Sequence, residues 1–120
     1  MQVLPGDNKT NWKRWETYQD ILFDKTEGGI ARIAINRPEI RNAFRPQTIE
    51  ELIHAFNKVK FDNNIGVVLF TGAGPDSKGV YSFCSGGDQR IRGEKGYKDQ
   101  DNNEKLNVLE LQRLIRSLPK

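Results

Sequence analysis

Apolar positions in this chain come in short runs separated by polar, glycine-bearing stretches, and their spacing predicts the elements. Ile21-Leu22-Phe23 reads as a short strand. Glu27-Gly28-Gly29 is a turn signal, and Ile30, Ile33, Ala34 and Ile35 follow it, so a two-stranded hairpin is predicted. Asn36-Arg37-Pro38 ends the second strand, because proline has no N–H to continue a ladder. A helix is predicted from near Pro46, where a missing N–H costs nothing, and Thr48 and Glu51 have capping-box spacing. Ile49, Leu52, Ile53, Phe56 and Val59 recur at helical spacing and form one apolar face, and Asp62-Asn63-Asn64 closes the segment. The run from Ile65 to Thr71 is continuously apolar or β-branched apart from Gly66, which reads as a strand buried on both faces.

Residues 72–82 are rich in Gly, Pro, Asp and Ser and form a loop, and residues 90–104 are very polar and are expected to be mobile. Leu106 to Leu118 reads as a second helix, with Val108, Leu111, Leu114, Ile115 and Leu118 on its buried side. The order strand, strand, helix, strand, helix gives an α/β arrangement: a small sheet with helices and an open edge. Residues 1–19, polar with a few aromatics, read as an irregular leader. Leu118-Pro119-Lys120 does not resemble the end of a finished domain. Residues 20–120 are therefore expected to be an incomplete domain, truncated after its second long helix.

Composition narrows the function classes. Hydrophobic residues make up 36% and charged residues 29%, which is neither a disordered nor a fibrous balance. No apolar run approaches the roughly 18 residues of a membrane span, and the first twenty residues contain no apolar stretch of the secretory-signal type. The single cysteine, Cys84, excludes an internal disulfide and suits a reducing compartment. The net charge of +3 allows an anionic partner. Lys and Arg are scattered among Asp and Glu, which speaks against nucleic acid and fits a phosphorylated small molecule as well.

Two glycine segments could carry chemistry. Gly72 to Gly79 follows a strand, but Ser77-Lys78-Gly79 lacks the phosphate-loop ending, and Pro75 and Asp76 spoil a dinucleotide fingerprint, so it reads as a surface loop. Ser85-Gly86-Gly87-Asp88 allows positive φ angles and close backbone approach to a ligand. It is either a tight turn or a donor site for an oxyanion, such as a thioester carbonyl becoming an enolate. Cys84 has no visible base and reads as a buried small residue. His54, the only histidine, reads as a solvated helix residue, and no metal-ligand spacing is present.

Four segments resemble the crotonase (enoyl-CoA hydratase/isomerase) superfamily. Asn36 to Pro46 resembles the segment that follows the second strand, and Ile65 to Gly74 the strand and loop after the first helix. Phe83-Cys84-Ser85-Gly86-Gly87-Asp88-Gln89 resembles the oxyanion-hole segment in the form used by the 1,4-dihydroxy-2-naphthoyl-CoA synthase branch, and Leu106 to Arg116 resembles that branch's helix. The match runs from about residue 15 to the last residue, and Asn-Ala-Phe-Arg-Pro together with Ser-Gly-Gly-Asp-Gln is specific to the branch. The resemblance implies a crotonase-like fold of ββα-type units, of which this is the N-terminal part.

It also implies a carbon–carbon lyase or synthase acting on o-succinylbenzoyl-CoA in menaquinone or phylloquinone synthesis. A proton leaves the carbon next to the thioester, the enolate closes on a carboxyl carbon, and water is lost. By resemblance, Gly87 and Tyr97 are catalytic, with Gly87 N–H as an oxyanion donor. Arg41 contacts the CoA phosphates, for which a guanidinium is suited. Ser85, Gly86, Gly87, Asp88 and Gln89 line the thioester site, and Arg90 and Arg92 are basic positions of an active-site loop. That loop is expected to order over the acyl-CoA and carry Tyr97 inward. The second oxyanion glycine and the base lie beyond residue 120 in the family. No cofactor is tightly bound, CoA belongs to the substrate, and bicarbonate serves where the acidic base is lacking. A cytoplasmic or organellar-stroma enzyme is implied, assembled as a homo-oligomer, a hexamer built as a dimer of trimers. The alternatives are another acyl-CoA hydratase or isomerase of the superfamily, or a non-catalytic CoA-binding fragment. The 120 residues alone are expected to be inactive.

Overall fold

The computed structural model describes residues 10–90 and 107–120. Among them, a four-stranded sheet runs in the order β1 (Lys13–Thr17), β2 (Ile21–Lys25), β3 (Ile30–Ile35) and β4 (Val67–Gly72). The first three strands are antiparallel neighbours, and β4 joins β3 in parallel, with Ile30 opposite Val67 and Ile35 opposite Gly72. Helix α1 (Pro46–Phe61) makes the crossover that a parallel pair requires, and α2 (Val108–Ser117) packs against α1. This is the predicted α/β ββα unit, with the hairpin and both helices where apolar spacing placed them.

Alternation along the strands decides which face is covered. Ile21, Phe23, Ala31, Ile33 and Ile35 point to one face and meet Ile49, Leu52, Ala55, Phe56 and Val59 of α1. Each large side chain fully withdrawn there contributes about 1.5–3 kcal/mol. Leu111 is buried in the same core, and Val108, Leu114, Ile115 and Leu118 pack partly against it. The alternate positions carry Leu22 and Ala34, which pack with Ala73, and a buried ion pair in which Arg32 donates to Asp24 at 3.0 Å.

Three expectations are corrected. Residues 13–17 are a strand and not irregular: Trp15 stacks on Phe23 with centroids 4.6 Å apart, Lys25 lies over the Trp15 ring, and Glu16 pairs with Lys58 of α1. The β4 strand is only half-buried, because it stands at the sheet edge among the described residues and Val67 is 51% exposed. Thr48 is the third residue of α1, with Arg45 as N-cap, so Glu51 is not its capping partner. The Thr48 hydroxyl accepts from the Arg45 N–H at 3.2 Å, while the Glu51 carboxylate accepts from the Asp20 N–H at 2.7 Å.

Candidate active site

The connection from β3 to α1 forms a platform. Pro38–Ile40 is one 3-10 turn, after which Arg41 and Asn42 both take left-handed backbone, at φ 55° and 57°. That conformation is uncommon outside glycine, though asparagine is several-fold enriched in it. Asn42 offsets the strain with a fully buried amide. Its Nδ2 donates to the carbonyls of Ala73 and Ser82, each at 2.8 Å, and its Oδ1 accepts from the Arg37 N–H at 2.7 Å. One side chain thus ties the platform, the chain leaving β4, and the start of the glycine segment. Gly72 permits this approach: a Cβ there would run into the carbonyls of Ser82 and Phe83 and lie 2.7 Å from Asn42 Nδ2. Its neighbours along residues 72–79 were expected to form a surface loop, but Gly72 itself ends β4 beneath the glycine segment.

The glycine segment then runs alongside the platform. Ser85 N–H donates to the Arg41 carbonyl at 3.1 Å, Phe44 N–H to the Gly86 carbonyl at 2.9 Å, and Asp88 N–H to the Phe44 carbonyl at 2.8 Å. The last two bonds make a single parallel bridge between Phe44 and Gly87. Gly86 adopts φ +108°, a conformation that requires glycine. In a trans peptide the carbonyl of one residue and the N–H of the next point in opposite directions. Since the Gly86 carbonyl faces Phe44, the Gly87 N–H faces away, and it has no acceptor among the described residues. Gly87 is half-buried. An outward, unspent backbone donor is what an oxyanion site needs.

Charges brace the segment. The Asp88 carboxylate is buried and accepts from Arg90 Nε at 3.1 Å, from the Arg90 N–H at 3.0 Å, and from an Arg37 Nη at 3.2 Å. The Arg90 guanidinium outweighs burial, with help from the Arg90 N–H and the Arg37 charge, and holds the carboxyl down to about 2. Nearby, Asp20 is also buried; burial alone would raise its carboxyl. The Arg45 guanidinium, at 2.8 and 2.7 Å, and the Thr48 hydroxyl, at 2.7 Å, prevail and hold it below the usual carboxylate value.

Of the residues singled out in the sequence, Arg41, Ser85, Gly86, Gly87 and Asp88 are brought together. Ser85 is exposed, and its hydroxyl approaches the Ile40 carbonyl at 3.4 Å. Arg41 is exposed, and its charge helps lower the Asp76 carboxyl after the larger effect of the Val80 N–H. Gln89 and Arg90 follow directly and are exposed. Arg92 and Tyr97 lie outside the described residues, as does most of the expected lid. Cys84 is half-buried against the core. His54 is less solitary than expected: its Nδ1 lies 2.5 Å from the Tyr18 hydroxyl and 3.2 Å from Glu16. Sequence reasoning gave no role to Arg37, Asn42 or Gly72, whose partners lie up to 51 residues away. The one available signal was the pair of polar residues Arg41-Asn42 at a turn.

A small mixed sheet with a helical crossover between its parallel strands matches a crotonase-like fold. The chain belongs to the enoyl-CoA hydratase/isomerase family, whose model it matches over residues 25–120. It is similar to an enoyl-CoA hydratase/isomerase from Xanthobacter autotrophicus Py2, with TM-score 0.55 and 34% identity over 63% of this chain and 26% of that one. It is also similar to an enoyl-CoA hydratase from Mycobacterium tuberculosis H37Rv, with TM-score 0.52 and 30% identity over 60% of this chain and 29% of that one. A further enoyl-CoA hydratase/isomerase family member shares the fold at TM-score 0.63 and 20% identity, over 83% of this chain and 36% of that one. The chain thus spans about a quarter to a third of the length of these proteins.

Proposed function

We propose that this chain supplies an oxyanion donor to an enzyme acting on acyl-CoA thioesters, and that the enzyme is a 1,4-dihydroxy-2-naphthoyl-CoA synthase. The observation that carries the acyl-CoA reading is the Gly87 N–H, turned away from Phe44 and without an acceptor among the described residues. Such a donor stabilises negative charge that develops on a thioester oxygen when the neighbouring carbon loses a proton. Exposed Arg41, beside the segment, suits the phosphates of CoA. The finer reading rests on Asn42-Ala43-Phe44-Arg45-Pro46 occurring together with Ser85-Gly86-Gly87-Asp88-Gln89. On that reading the substrate is o-succinylbenzoyl-CoA, and the enolate closes on its free carboxyl carbon with loss of water. A homo-oligomer and a bicarbonate base belong to the same proposal.

A second reading, hydration or isomerisation of an enoyl-CoA, is favoured by the descriptions of the similar solved proteins. A substrate panel separates the two. The full-length protein, with bicarbonate present, is expected to consume o-succinylbenzoyl-CoA and release a product with naphthalene absorbance, and to leave a short trans-2-enoyl-CoA unchanged. Hydration of the enoyl ester with no ring closure would replace the first reading by the second. Turnover of neither ester would leave a CoA-binding role.

A further inference from the structure

We infer that Arg37 is a positioning residue whose guanidinium clamps both sides of the Phe44–Gly87 bridge and so fixes the direction of the Gly87 N–H. The inference rests on the oxyanion reading of Gly87. One Nη of Arg37 donates to the Ala43 carbonyl at 2.7 Å, and the other to Asp88 Oδ2 at 3.2 Å. Ala43 immediately precedes Phe44, and Asp88 immediately follows Gly87. The fork therefore grips the platform on one side of the bridge and the glycine segment on the other. Arg37 is itself held, since its N–H donates to Asn42 Oδ1 and its carbonyl accepts from the Asn42 N–H at 2.9 Å. The side chains of Arg37 and Asp88 are 12% and 3% exposed, so water does little to loosen the grip.

A clamp is needed because of the sequence it holds. The peptide between Gly86 and Gly87 is flanked by two residues without side chains, so little steric hindrance opposes its rotation. A flipped peptide would direct the Gly86 carbonyl toward the ligand in place of the Gly87 N–H, and would repel an oxyanion. Two bridge hydrogen bonds, each contributing about 0.5–1.5 kcal/mol, are a thin restraint. Arg90 also holds Asp88, but its side chain is 67% exposed and only two residues away, so it moves with the segment and does not tie it to the platform. Arg37 reaches across 51 residues and does. Lysine at this position would keep the charge but could not span both acceptors with a planar fork.

The test uses Arg37→Lys in the full-length protein, with the Gly87 amide followed by ¹H–¹⁵N NMR beside steady-state kinetics on the acyl-CoA substrate. The Gly87 resonance is expected to shift and broaden while β2 and β3 amides stay in place. The kcat is expected to fall about ten- to a hundredfold, as for a misplaced catalytic group, with KM within about twofold. Should Arg37→Lys fail to fold, the uncharged pair Arg37→Gln with Asp88→Asn carries the same readouts, and is expected to recover part of the kcat lost in Arg37→Gln alone. A Gly87 amide and a kcat both at wild-type values would overturn the clamp. A displaced Gly87 amide with normal kcat would uphold the clamp and count against the oxyanion role of Gly87.

Discussion

Asp88 and Gly87 are adjacent, yet the sequence discloses them unequally. A Gly-Gly pair advertises backbone freedom directly, so Gly87 was legible as a donor candidate. The aspartate beside it looked like a pocket-lining acid, and its engagement by Arg37 depends on a contact between residues far apart in the chain. That contact sets a pH dependence. The folded Asp88 carboxyl, at about 2, lies below the ordinary value near 3.9. Ionised Asp88 therefore stabilises the fold above pH 4, and this contribution is lost as pH falls from about 4 through about 2. Asp88→Asn is expected to flatten that acid limb in a plot of Tm against pH, and an unaltered limb would show that the pairing adds nothing. For Gly87, replacement by Val is expected to lower turnover of the acyl-CoA substrate by on the order of a hundredfold, the loss typical of an oxyanion donor. Normal turnover in that variant would reduce Gly87 to a turn residue.

Among the elements, α1 was the most legible, because five apolar residues at helical spacing leave little choice of face. Its buried face was correct and its capping was not: Thr48 serves Arg45 and Asp20, a pairing set by where β2 begins. Strand β1 was missed because its sequence, KRWET, is mostly charged; it is a strand through pairing with β2, with a bulge between Arg14 and Glu16. Such charge is common on sheet edges. The helix face makes a paired prediction. Phe56 is 2% exposed and meets the Phe70 ring edge-on, whereas Phe61, on the same helix, is 76% exposed. Phe56→Ala is expected to destabilise the fold by about 3–5 kcal/mol in urea titrations, and Phe61→Ala by less than about 0.5 kcal/mol. Equal effects would mean that the assigned core face is wrong.

At the scale of the whole molecule, β4 presents an unpaired edge among the described residues, and apolar Val67, Val80, Tyr81 and Phe83 are exposed. The 120-residue chain is expected to self-associate in sedimentation experiments as its concentration rises, and Val67→Lys is expected to reduce this. A strictly monomeric chain would remove the edge from consideration. The open edge was legible from element order alone, whereas the strand's burial was overestimated, because a continuous apolar run says what a strand could bury and not what is present to cover it. The amide of Asn42 has a consequence for the order of assembly. Its partners lie 31 and 40 residues away, while the β2–β3 hairpin closes over a few residues. Closing long loops loses more chain entropy and comes later. In pulse-labelled refolding, amides of β2 and β3 should therefore gain protection before those of Ser85 and Asp88. The glycine segment then becomes native after the hairpin, so a chain can hold β2 and β3 together before the direction of the Gly87 N–H is set.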